Sequence, residues 1–118
     1  MRKQDIAKFI DGLKKTEHSK FQIKGSSKNA PKSIHYYNSH KQFTPDVIIT
    51  CDDKRDFYVF ESEIKEIDIS DLTFKWILFS AQARKLNGQF YLVVDKSKIA
   101  FCKKVISDKQ LEVVLVEM

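Results

Sequence analysis

Two stretches of this chain are too apolar to face water on either side. Val47-Ile48-Ile49-Thr50-Cys51 is a nearly continuous run of apolar and β-branched residues. Phe57-Tyr58-Val59-Phe60 opens a second run that reaches Ile64, and the charged turn Asp52-Asp53-Lys54-Arg55-Asp56 separates the two. Runs of this length and type are strands covered on both faces. Their spacing predicts a hairpin at the centre of a sheet.

The flanking sequence supplies the covering layers. Ile6, Phe9, Ile10 and Leu13 recur at i, i+3, i+4 and i+7, which predicts an amphipathic helix over residues 3–15. Residues 19–24 alternate as a half-buried strand, residues 25–32 are a lysine-bearing loop, and Ser33 to Tyr37 is a candidate short strand. Leu72, Trp76, Phe79, Ala83 and Leu86 share one face of a helix over 71–87, which Asn87-Gly88 stops. Gln89 to Val94 reads as a buried strand, and Ile99 to Lys103 and Leu111 to Val116 as two more. The expectation is a single α/β domain spanning residues 1–118, with a mixed sheet between helices. A length of 118 residues fits one domain with a real core. No apolar run is long enough to cross a membrane. The charged start Met1-Arg2-Lys3-Gln4-Asp5 is no signal core. With only Cys51 and Cys102, both expected in apolar strands as inert thiols, a cytoplasmic protein is expected.

The charge is uneven. Residues 1–45 hold ten basic and three acidic side chains, and the remainder eleven and thirteen. A basic N-terminal third suits a polyanion such as nucleic acid. It also suits a small protein kept soluble by lysines, and both readings stay open.

The chemistry gathers on the two central strands. Asp46 follows Pro45 and opens the first, and Glu61 and Glu63 lie near the end of the second. Strand alternation places Phe57, Val59, Glu61, Glu63 and Lys65 on one face. Carboxylates that converge there must be neutralised, and a hard divalent cation does so while keeping waters and accepting a substrate phosphate. Such a cluster beside a basic surface is what metal-assisted phosphodiester hydrolysis needs. The plainer alternative makes Asp46 a turn residue and the two glutamates a solvated edge paired with Lys65.

Thr44-Pro45-Asp46-Val47-Ile48-Ile49, followed after the hairpin by Phe57-Tyr58-Val59-Phe60-Glu61-Ser62-Glu63, resembles the PD-(D/E)XK nuclease superfamily. The resemblance implies a restriction endonuclease-like core, α-β-β-β-α-β, over roughly residues 5–95, here with two extra C-terminal strands. It implies that Asp46, Glu61 and the backbone carbonyl of Ser62 hold Mg²⁺ or Mn²⁺, with an acid of the first helix (Glu17, with Asp11 second) nearby. It implies hydrolysis of nucleic acid, DNA before RNA, by a homodimer. The departure is Glu63, where the family usually has the lysine that positions the attacking water. Either Glu63 takes that work, or the lysine has moved to Lys65 or to Lys75 on the next helix. Lys20, Lys24, Lys28, Lys32 and Lys41 are the expected phosphate contacts.

The remaining motifs are weaker. His18, His35 and His40 lack zinc-type spacing, Gly25-Ser26-Ser27 is too short for a phosphate loop, and Ser62 has no nucleophile elbow. Trp76 and Phe79 read as core. Tyr36, Tyr37 and Phe43 among Lys32, His40 and Lys41 suit either base stacking or a half-packed loop. Two rival functions therefore stand beside the nuclease. One is an inactive nuclease scaffold that binds nucleic acid or a protein, and the other is an interaction protein of a different α/β fold.

Overall fold

The computed structural model describes residues 3–16, 20–26, 29–35, 42–61 and 69–118. The chain runs α1 (Lys3–Thr16), β1 (Lys20–Ile23), β2 (Ile34–His35), β3 (Gln42–Phe43), β4 (Val47–Cys51), β5 (Lys54–Glu61), α2 (Ile69–Lys85), β6 (Phe90–Val94), a 3-10 turn at Lys96–Lys98, α3 (Ile99–Asp108) and β7 (Val114–Glu117). Five strands form one mixed sheet in the order β1-β4-β5-β6-β7. β1, β4 and β5 are antiparallel neighbours. β6 joins β5 in parallel and β7 joins β6 in parallel. Parallel neighbours need long crossovers, and α2 and α3 provide them. β2 and β3 pair as a separate two-stranded ladder.

Both faces of the sheet are covered, as the two apolar runs require. Ile6, Phe9, Ile10 and Leu13 of α1 pack with Val47, Ile49, Tyr58 and Val93. On the opposite face Trp76, Phe79 and Ala83 of α2 and Cys102 of α3 pack with Ile48, Phe57, Val59 and Leu92. Full burial of each large side chain here contributes about 1.5–3 kcal/mol. Aromatic edges add shape: Phe57 meets Phe79 edge-on with ring centres 6.3 Å apart. On the α1 face Tyr58 stacks on Tyr91 at 4.5 Å.

Three expectations need correction. Ile99 to Lys103 is not a strand but the first half of α3, so one C-terminal strand, β7, replaces the expected two. Ile99, Cys102, Val105 and Ile106 all meet the core beneath α2, at helical spacing. Over five residues the same apolar run fits a strand equally well, and only the packing partner separates the two. β7 also starts later than Leu111, because residues 111–113 are held back toward the helices. Leu111 N–H donates to Ile106 O at 3.0 Å, and Ser80 Oγ to Glu112 O at 2.9 Å. Cys51 is exposed, since it ends β4 beside the hairpin turn, whereas Cys102 is buried. The continuation of β5 through Ile64 lies outside the described residues. Among the described residues no helix is long and apolar enough to cross a membrane.

The stop of α2 joins helix to sheet. Asn87 takes a left-handed conformation, φ 61°, and Gly88 N–H donates to Ala83 O at 2.8 Å. Arg55 N–H then donates to Leu86 O at 3.2 Å and Phe57 N–H to Gln89 O at 2.9 Å, which feeds the chain into β6 beside β5. A Cβ on Gly88 would lie 1.6 Å from the carbonyl oxygen of Arg55. Backbone, not a flexible side chain, would have to move. Gly88→Ala is expected to cost about 3 kcal/mol, the upper end for overpacking, measured as a lowered urea midpoint. An unchanged midpoint would mean that this close approach does not exist.

Candidate functional site

The site forms where β4 begins and β5 ends. Val47 lies opposite Tyr58, so β5 runs on past the start of β4. The backbone groups of Tyr58 and Phe60 face β4. Asp46 N–H still reaches Tyr58 O at 3.0 Å, but Phe60 N–H has no strand residue to pair with. The Asp46 carboxylate takes that place, and Oδ2 accepts Phe60 N–H at 2.8 Å. On the other side Lys24 N–H donates to Asp46 O at 2.8 Å. Asp46 is thus held by both neighbouring strands, and Pro45 before it is buried.

Alternation then brings the acids together. Ile48 points to the α2 face, and two residues earlier Asp46 shares that face. Phe57 and Val59 point the same way, and so does Glu61. Glu61 is 8% exposed, one of two buried polar residues among those described. Its Oε1 accepts a hydrogen bond from Lys75 Nζ of α2 at 2.7 Å. A carboxylate this buried is tolerated when it is paired and hydrogen-bonded.

Burial raises the Asp46 carboxyl above its ordinary 3.8, and the negative charge of Glu61 adds to the rise. The Phe60 N–H and the ammonium groups of Lys24 and Lys75 oppose it. Next to Glu61 the thiol of Cys102 is pushed up to about 11, first by burial and then by Glu61, with Lys98 opposing. That thiol stays protonated at neutral pH and is no nucleophile.

The residues singled out in the sequence therefore divide. Asp46, Glu61, Lys75 and Lys24 come together at one end of the sheet. Lys20 pairs with Thr50 at the other end of β1, away from Asp46. Lys32 is exposed after the loop, and Asp11 is exposed on α1, the helix that covers the opposite face. Glu17, Lys28, Lys41, Ser62, Glu63 and Lys65 lie outside the described residues. Lys98 stands at the start of α3, where the sequence pattern predicts a turn into a strand. The helical spacing of Ile99, Cys102 and Val105 was the signal that would have placed it at a helix start.

The donor set suits a small hard cation. Among the described residues no donor engages the second oxygen of Asp46 or of Glu61. No group of three or more His, Cys, Asp or Glu gathers among them. Asp46 and Glu61 each keep one carboxylate oxygen open among the described residues, the donor type a hard divalent cation takes. No protein-family model matches this chain, and no curated protein or solved structure matches it.

The sign of the Asp46 shift makes a prediction. Because the folded carboxyl titrates above 3.8, the folded state binds a proton more readily than the unfolded chain. Stability is thus lost as pH rises from the unfolded value through the raised one, and at neutral pH the ionised Asp46 is a net cost. Asp46→Asn keeps an oxygen for Phe60 N–H without the charge. It is expected to raise the thermal midpoint at pH 7, with the gain vanishing below pH 3.8. A lowered midpoint at pH 7 would refute the account of this carboxylate.

Proposed function

We propose that this chain is a metal-dependent phosphodiesterase acting on nucleic acid, with Asp46 and Glu61 as the metal-binding carboxylates and Lys75 as the lysine of the site. One observation carries the reading: Lys75 of α2 lies 2.7 Å from Glu61, on the face that Asp46 shares. An Asp, a Glu and a Lys meet at the end of two adjacent strands. The resemblance at Pro45-Asp46 and Glu61-Ser62-Glu63 asks for a lysine there, and Glu63 replaces it in the linear motif. Lys75 fills the role from another element. DNA is preferred to RNA on the resemblance alone.

Each residue has a physical task. Asp46 and Glu61 hold Mg²⁺ or Mn²⁺ through the oxygens that no described donor occupies. The ion, when bound, neutralises charge on the phosphate and lowers the pKa of a bound water. Lys75 keeps one N–H on Glu61 and has two more to orient a water or a phosphate oxygen. Lys24 adds positive charge beside Asp46, which offsets the repulsion that two carboxylates exert on a polyanion.

The test is nicking of supercoiled plasmid by the purified chain with added Mg²⁺ or Mn²⁺. Asp46→Ala, Glu61→Gln and Lys75→Met are each expected to lower turnover by about 10²-fold or more. Glu61→Gln should keep affinity for DNA. Activity should fall on the acid side as Asp46 protonates, above the ordinary carboxylate range. Absence of metal-dependent nicking overturns the reading. If salt-sensitive DNA binding persists without nicking, the chain is a binding module on the same scaffold.

A further inference from the structure

The end of the sheet that carries Glu61 also carries a lysine with no ion-pair partner among the described residues. β5 and β6 are parallel, and Glu61 lies opposite Val94, so both strands end at the same edge. The chain then turns at once. Lys98 N–H donates to Asp95 O at 2.9 Å, and Ile99 N–H donates to Lys96 O. This tight turn keeps Lys98 within one helical turn of the strand end. Lys98 is half-buried, whereas Lys96, Lys103, Lys104 and Lys109 are exposed. No ion-pair partner engages it among the described residues, while Lys75 is taken by Glu61. Glu61 and Lys98 both act on the thiol of Cys102, in opposite directions.

The local sequence makes the position costly. Lys96 and Lys98 occupy the first turn of the helical segment that becomes α3. Partial positive charge gathers there, so carboxylates stabilise that turn and cations do not. Neither the 3-10 turn nor α3 has an acid in its first turn, and the Asp95 side chain caps no N–H. With Asp95 at the N-cap as the one acid of this helix start, two lysines still add positive charge there. An anion beside Lys98 offsets that charge.

We propose that Lys98 binds a substrate phosphate next to the one held at Asp46 and Glu61, so that the site takes a polynucleotide strand rather than an isolated phosphodiester. This rests on the phosphodiesterase reading of Asp46 and Glu61. Lys98 is a binding residue here and takes no proton from the reacting atoms. Its ammonium matches the charge of the adjacent phosphate, while Lys75 serves the reacting one.

The experiment is fluorescence anisotropy of a labelled DNA strand against wild type, Lys98→Gln, Lys98→Arg and Lys103→Gln, over a salt series. Ca²⁺ replaces Mg²⁺ so that the strand is not cut. Lys98→Gln is expected to weaken binding severalfold and to lower the slope of log Kd against log salt by about one, the loss of one phosphate contact. Lys98→Arg keeps the slope, and the exposed control Lys103→Gln leaves it unchanged. The thermal midpoint of Lys98→Gln holds or rises, because a cation has left a helix start. An unchanged slope in Lys98→Gln, an equal loss in Lys103→Gln, or no binding by wild type overturns the proposal. Plasmid nicking separates the two claims. Metal-dependent nicking with an unchanged Lys98→Gln slope removes Lys98 alone. A lowered slope without nicking removes hydrolysis and keeps the phosphate contact.

Discussion

Val47 lies opposite Tyr58, and this register decides which side chains of β4 and β5 enter each layer of the core. A slip of one residue would turn Val47 and Ile49 away from α1 and send Asp46 into the layer where Phe9 and Tyr58 meet. Both faces are apolar, so the slip would strand charge on one side and lose packing on the other. The register also sets how far β5 outruns β4. That overhang leaves Phe60 N–H without a strand partner and gives the Asp46 carboxylate its place. The site follows from the way the sheet is aligned.

The compromises in this structure collect at the same end. Glu61 is buried against Lys75, burial raises the Asp46 carboxyl, and two lysines follow Asp95 into a helical start. Elsewhere local preference and tertiary packing agree: α1 presents a clean apolar stripe, and α2 ends on a left-handed Asn87 followed by Gly88. Local rules broken together, in one place, mark a region shaped by something other than folding. The crevice beyond the carboxyl ends of parallel strands is also where α/β sheets bind ligands. In this sheet those ends belong to β5, β6 and β7.

Much of the fold is legible because its periods are strong. The stripe at Ile6, Phe9, Ile10 and Leu13 admits only a helix, and the runs at Val47 and Phe57 admit only covered strands. Alternation groups Glu61 with Phe57 and Val59, but that Asp46 shares their face follows from the register of β4 against β5. The run after Lys98 is different: Ile99 to Lys103 is too short for its period to show, and α3 forms because Ile99, Cys102 and Val105 find the core under α2. The same helix places Lys98 at a helix start, past the edge where β6 ends. In the same way the sequence leaves Lys65 and Lys75 level as the displaced lysine. Spacing along the chain cannot tell which residue of a helix reaches back to a strand 14 residues earlier.

By itself, then, the sequence determined the layers: apolar periodicity is a local property, and it commits each segment to a face and a period. It also determined that carboxylates would stand at the ends of the central strands. Only the tertiary structure decided their company. That Lys75 meets Glu61, that Phe60 N–H meets Asp46, and that Lys98 stands at the same edge all depend on strand register and on how two crossover helices lie across the sheet. Those quantities join residues distant in the chain, and the energy that selects them comes from packing the whole core at once.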